Sequence, residues 1–371
     1  MPDLSPEAHS RIVRNTQRKS ETVLRRVTYS MLILVPLAGC RQVLRTESTV
    51  TVPHPVTAYV NADLQPNDKG PVRMMLVDGD PRCCTDRIAI LDIDGVLLNT
   101  NMTMPYSASE NPVSVLREKL DAIAQDLCTV AVVLRINSPG GGVAATEMMW
   151  HQLLGFRQRV PVPMVACMMD VSTGGAYYLA TAADVICAYP GTVTGGIGVI
   201  LNCYNLQDMM AQYNVLNQSI KAGEHIDMGS ALQTMTPAVR ECLQAMADEY
   251  HQRFKEVILT RRPQIARDSA TTFDGRIFTA TQAIERGLID HLGTLEDAIA
   301  SARQMSQREN ACAVMYHRCT DQARSPYATT ANAPTLNNLL PLSLPGLERS
   351  RLPTFLYMWE PDPTVERAKA Y

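Results

Sequence analysis

The sequence predicts an α/β protein whose mainly parallel sheet is covered by helices, and three observations carry that reading. Short continuous apolar runs at 88–91, 130–136 and 164–169 have the length and unbroken hydrophobicity of strands buried on both faces. Stretches of helical period at 114–127 and 147–156 lie between them, and strands joined through helical crossovers pair in parallel. A chain of 371 residues with 46% hydrophobic and 19% charged residues also has enough apolar surface for a full core.

The first forty residues differ in kind. Arg11, Arg14, Arg18, Lys19, Arg25 and Arg26 precede an apolar run at 31–39 that stops at Cys40. Basic first and apolar second is the order of a secretory signal, and the run falls short of the ~20 residues that a helix needs to span a bilayer. Leu37-Ala38-Gly39-Cys40 resembles the lipobox of bacterial lipoproteins. That resemblance implies an acylated Cys40 and an exported protein held at the cell envelope, since each buried CH₂ of an acyl chain contributes ~0.8 kcal/mol of membrane affinity.

Residues 41–85 are polar and punctuated by proline, with one β-like run at 50–52, and read as a tether. The core begins at Arg87. Beyond the elements already named, Thr236 and Pro237 open a long helix through about residue 259, with threonine as N-cap and proline at the first helical position. A helix at 279–286 closes on Gly287, and another at 295–305 follows Gly293. After 306 the pattern fades into Ser, Thr, Asn and Pro, with apolar clusters such as Phe355-Leu356-Tyr357 but no clear period. The expected division is a signal peptide at 1–39, a tether at 40–85, a folded domain at 86–305 and a poorly ordered or partner-bound extension at 306–371.

A formal net charge of -3 without a long Lys/Arg run gives no electrostatic footprint for nucleic acid. Of ten cysteines, nine follow Cys40, so at least one is unpaired or intermolecular. Cys167 and Cys187 lie in apolar runs and read as core. Cys83, Cys84, Cys312 and Cys319 are the disulfide candidates, with pairing left open by spacing. No CxxC, HExxH or histidine cluster occurs, so neither a metal nor a cofactor is expected.

Three glycine-rich segments carry the chemistry. Asn137-Ser138-Pro139-Gly140-Gly141-Gly142-Val143 runs from a strand into a helix, where glycine lets backbone approach a bound group and free N–H groups can hold an oxyanion. Asp170-Val171-Ser172-Thr173-Gly174-Gly175 is a second strand-to-helix junction, leading into a helix at 176–183. Thr192-Val193-Thr194-Gly195-Gly196-Ile197-Gly198-Val199 is the third.

In this order and with these flanks the segments resemble the signal peptide peptidase A family of serine peptidases, relatives of ClpP and the crotonases. The matching pieces are Asp94-Gly95-Val96, the stretch from Leu134 to Gly141, Tyr177-Tyr178-Leu179-Ala180 with Ala182-Ala183-Asp184, Pro190-Gly191-Thr192-Val193-Thr194-Gly195, and Gly287-Leu288-Ile289-Asp290 with Leu292-Gly293. The resemblance implies a ClpP/crotonase-like fold of repeated β-β-α units with an added helical C-terminal part. It implies Gly140, Gly141 and Gly175 as oxyanion and peptide-binding positions, peptides or signal-peptide remnants as ligands, and a homo-oligomer.

It also implies a Ser/Lys dyad, in which the lysine takes the proton of a hydroxyl too weak to attack unaided. Matching the chain without gaps from Pro163 through Asp184 puts Gly174 in the nucleophile slot. Lys221-Ala222-Gly223-Glu224-His225-Ile226-Asp227 puts Ile226 in the base slot. The separation, 226 minus 174, is 52 residues and agrees with the family's spacing. Glycine has nothing to attack with and isoleucine accepts no proton, so a peptide-binding homologue without catalysis is the expectation. The rivals are a shifted site using Thr173 or Ser172 with His225 or Lys221 as base, and a dyad supplied by an active paralogue in a mixed assembly. A decoy from another class is Asp92-Ile93-Asp94-Gly95, which looks like the first motif of haloacid-dehalogenase-type phosphatases but has no later paired acids to complete a magnesium site.

Overall fold

The buried runs and helices assemble into a nine-stranded, mostly parallel sheet, so the α/β class holds. The computed structural model describes residues 71–359 apart from 81, 83, 101–102, 105–106, 109, 266–270, 319–324 and 328–354. The expected signal, Cys40 and most of the tether lie outside the described residues. None of the described helices is long and apolar enough to cross a membrane.

In chain order the strands are β1 (Val72–Asp78), β2 (Arg87–Asp94), β3 (Thr103–Met104), β4 (Ser107–Ala108), β5 (Thr129–Ser138), β6 (Gly140–Gly142) and β7 (Met164–Thr173). They continue with β8 (Val185–Ala188), β9 (Val193–Gly195), β10 (Ile277–Thr279), β11 (His291–Leu292), β12 (Cys312–Arg318) and β13 (Leu356–Met358). The described helices are α1 (Pro112–Gln125), α2 (Val143–Arg159), α3 (Gly175–Ala180), α4 (Gln207–Gln212), α5 (Pro237–Arg261), α6 (Ala280–Glu285) and α7 (Leu295–Ser306). The main sheet runs β1-β12-β2-β5-β7-β8-β11, with β9 on the far end of β7 and β10 on β9. Within this sheet only the β1/β12 and β9/β10 pairs are antiparallel.

Both faces of the sheet are covered, which is why its strands are continuously apolar rather than alternating. Along β2, Ile88 and Ile90 pack beneath Leu295, Ala298 and Ile299 of α7. Ala89, Leu91 and Ile93 face the other way, into the core that Leu116 and Leu120 of α1 share with Leu153 and Phe156 of α2. Side-chain caps fix the helix starts, and the one at Thr236 was expected from the sequence. Asn111 accepts from the Val113 N–H ahead of α1, Thr236 does the same for Val239 ahead of α5, and Thr279 with Gln282 forms a capping box on α6. Gly287, at φ 72°, ends that last helix.

The sheet reaches past both ends of the 86–305 segment. Within the expected tether, β1 forms the sheet's edge, and β12 inserts between β1 and β2 with Ala313, Val314 and Met315 fully buried. A third stretch, at 355–357, is also buried. The extension was expected to be poorly ordered because its Ser, Thr, Asn and Pro content masks two short apolar runs that lack a period of their own. A fully buried strand needs only four to eight apolar residues and shows no alternation. Two of the disulfide candidates, Cys84 and Cys312, are free thiols, and Cys83 and Cys319 lie outside the described residues. Cys167 and Cys187 sit side by side on β7 and β8, fully buried, as core residues.

Candidate functional site

The site is built where β7 turns into α3. Gly174 occupies the turn at φ 53° and ψ −120°, a combination that favours glycine and matches the strained strand-to-helix elbow on which nucleophilic serines are presented. Its N–H donates to the Gly195 carbonyl at 2.9 Å, and its own carbonyl accepts from the Tyr178 N–H at 3.0 Å. The elbow is therefore fixed by β9 on one side and by α3 on the other, although it carries no side chain.

Beside the elbow runs β6, the glycine strand between β5 and α2. One edge of β6 is tied to Leu97, whose N–H donates to Gly140 and whose carbonyl accepts from Gly142, both at 2.9 Å. Its other edge carries β13, antiparallel, with Leu356 opposite Gly142, Tyr357 opposite Gly141 and Met358 opposite Gly140. The ladder continues at both ends, from the Val143 N–H to the Phe355 carbonyl at 3.2 Å and from the Trp359 N–H to the Pro139 carbonyl at 3.0 Å. On the far edge of β13, Leu356 exchanges both of its backbone hydrogen bonds with Ile200 at 3.0 Å. Residues 355–359 thus lie as an extended strand between two backbone rails.

This strand lays the peptide bond between Tyr357 and Met358 against the elbow. A methyl group on Gly174 would collide with the Tyr357 carbonyl oxygen and stand 2.7 Å from its carbonyl carbon and 3.0 Å from the Met358 nitrogen. A methyl group on Gly140, at φ 102°, would meet the same oxygen and come within 2.9 Å of the Gly175 nitrogen. Gly140, Gly174 and Gly175, all singled out by the sequence, converge on one carbonyl, whereas Gly141, also singled out, is closed in by the Leu97 backbone. The residues that the sequence did not place here are those of 355–359 and Ile200. Their only signal was the apolar cluster at 355–357.

The other expected partners stand apart. Ile226 lies in a turn between α4 and α5 and is 74% exposed. Lys221 donates to both carboxylate oxygens of Asp227 at 3.0 Å and holds that carboxyl below the usual range. Thr173 is fully buried and its hydroxyl donates to the Pro139 carbonyl at 3.1 Å. Ser172 is also fully buried, and its carbonyl accepts from the Thr194 hydroxyl at 2.7 Å. Asp92 is buried in an ion pair with Arg135 on the adjacent strand at 2.7 Å, and the described residues hold no group of three or more His, Cys, Asp or Glu side chains placed to bind a metal.

The model of peptidase family S49 matches residues 157–309, a stretch that holds both Gly174 and Ile226. The chloroplastic serine protease SPPA of Arabidopsis thaliana is 30% identical over 220 residues, which is 59% of this chain. Protease 4 of Salmonella typhi is 25% identical over 282 residues, or 76% of this chain. The segment 157–309 is thus a peptidase family S49 domain, similar to that of signal peptide peptidase A proteases. The chain spans 32% of the length of the chloroplast relative and 42% of the Salmonella one. A solved structure of a membrane-bound stomatin-specific protease mutant with a substrate peptide is 13% identical, with a TM-score of 0.36 over 59% of this chain and 80% of that one.

Proposed function

We propose that this family member binds extended peptides without cutting them. One observation carries the reading: a backbone peptide group lies where the nucleophile's side chain would have to stand, against a glycine. The exposed Ile226 supports it, since an isoleucine offers no base. The shifted-site rival has little support, because the Thr173 hydroxyl is already spent on the Pro139 carbonyl. The purified protein is expected to leave casein and peptide substrates intact. Turnover abolished by a serine-directed phosphonate would overturn the reading.

Acylation of Cys40 would hold the domain at the bacterial cell envelope, and labelling with a fatty acid that persists in Cys40→Ala would remove that anchor. The segment between β9 and α5 exposes Tyr213, Leu216 and Ile220 as well as Ile226. A run of exposed large apolar side chains supports a homo-oligomer, or a mixed assembly with a catalytic paralogue.

A further inference from the structure

The connection from β1 to β2 must cross the end of β12, because β12 lies between the two strands. Asp78, at the end of β1, stands opposite Ala313, and Arg87, at the start of β2, stands opposite Cys312. Residues 79–86 therefore pass over Cys312, the first residue of β12. The crossing is tight. A methyl group on Gly79, at φ 115°, would stand 2.8 Å from the Cys312 Sγ, and the Cys312 N–H donates to the Asp86 carbonyl at 2.9 Å. Arg303 of α7 pairs with Asp78 at 2.8 Å and Arg308 with Asp86 at 3.7 Å, so both ends of the crossing are held.

Within the crossing sits the half-buried Cys84. Its thiol is in hydrogen-bond contact with the Cys312 thiol and with the Arg87 guanidinium. Cys312 is 2% exposed, and burial, with the Cys84 thiol beside it, pushes its thiol up to about 12. The two sulfurs thus differ in access, and a small disulfide in solution reaches Cys84 first. Two thiols already in contact across a held crossing have little distance to close before they reach the ~2.05 Å of an S–S bond.

We propose that Cys84 and Cys312 are a redox site, forming a disulfide that staples the β1–β2 crossing to β12 and so locks the edge of the sheet. The oxidant is a small-molecule disulfide such as oxidised glutathione. Cys84 loses its proton to solvent, attacks one sulfur of the oxidant and releases the first glutathione thiolate. Cys312, its proton likewise lost to solvent, attacks the Cys84 sulfur and displaces the second. Each released thiolate takes up a proton, so two protein thiols are oxidised to one disulfide while one glutathione disulfide is reduced to two thiols. The closed loop runs from 84 to 312, and a loop that long places the stabilisation at the upper end of what cross-links give. The strand it pins is the one that local sequence did not specify.

The test incubates the full-length chain, reduced and then freed of reductant, with oxidised glutathione, blocks the remaining thiols and digests with trypsin without reduction. Cleavage after Arg82, Arg87, Arg308 and Arg318 releases residues 83–87 and 309–318 as separate peptides. They are expected as one linked species, lighter than their sum by two hydrogens. Residues 83–87 also hold Cys83, and Cys128 also acts on Arg87, so variants assign the sulfur. The link should persist in Cys83→Ser and in Cys128→Ser and vanish in Cys84→Ser. Oxidised wild type should unfold in urea at a midpoint about 1 M above the reduced protein, a difference that Cys84→Ser abolishes. Should Cys84→Ser fail to fold, the wild-type map and its persistence in Cys83→Ser still identify the bond. A 309–318 peptide left unlinked, joined to any other cysteine, or still linked in Cys84→Ser would overturn the site. Equal urea midpoints for the two redox states would overturn the staple.

Discussion

At Gly174 a side chain meets two separate obstacles, and they act in the same direction. The φ of 53° lies where L-residues are strained, at a cost of order 1–3 kcal/mol, and the Tyr357 carbonyl occupies the space that a Cβ needs. Gly174→Ala is therefore expected to lower unfolding free energy in urea by at least about 1–3 kcal/mol, unless 355–359 leaves the groove. A variant as stable as wild type, with 355–359 still protected from hydrogen exchange, would contradict this geometry. Gly174→Ser should be no better as a catalyst, because a hydroxyl without an adjacent base remains a poor nucleophile. Tyr178, beneath the resident strand, is similarly committed to packing, with burial pushing its phenol up to about 12.

Among the elements, α5 links the groove to the rest of the core. It supplies the Tyr250 carbonyl and Phe254 to the packing around Tyr357, and the next residue after Tyr250, the half-buried His251, bonds the Ile197 carbonyl at 3.1 Å. Burial lowers the His251 pKa, and Lys255 adds to the effect. The fold thus favours the neutral ring, while the unfolded chain takes up a proton near the ordinary value of about 6.5. This contribution to stability is fully present above that value and is lost as pH falls through the lowered pKa. His251→Gln should accordingly flatten the stability profile between about pH 7 and pH 5, read by urea unfolding at several pH values. A slope equal to that of wild type would exclude His251 as a source.

The elements that the sequence made legible were those with long, unmixed signals. The core strands announced themselves as unbroken apolar runs, α5 by Thr236 and Pro237 at its start, and α6 by Gly287 at its end. The elbow and the glycine strand were legible because their glycines are fixed by backbone geometry that local residue types reveal. By contrast, β12 and β13 take their identity from long-range pairing. A six-residue apolar run gains strand character only when β1 and β2 close around it, and 355–357 only when β6 and Ile200 flank it. No local pattern could have assigned the tail to the groove.

For the molecule as a whole, the proposed reading separates family from activity at a few atoms. The nine-stranded sheet and its two helical covers hold the strand-to-helix elbow, and on the proposed reading what differs from a working peptidase is a side chain at 174, another at 226, and the occupant of the space between the glycines. If the exposed apolar segment between β9 and α5 joins subunits, sedimentation should give a species larger than one chain, and a monomer at micromolar concentration would contradict that assembly. The groove and its resident strand belong to a single chain and do not depend on that outcome. The bond most exposed to any residual chemistry is then the protein's own, between Tyr357 and Met358. Intact-mass spectrometry of the purified full-length protein, incubated over days, tests the account most directly. It predicts an unchanged mass with residues 358–371 still attached, whereas a product ending at Tyr357, whose formation a serine-directed phosphonate prevents, would contradict it.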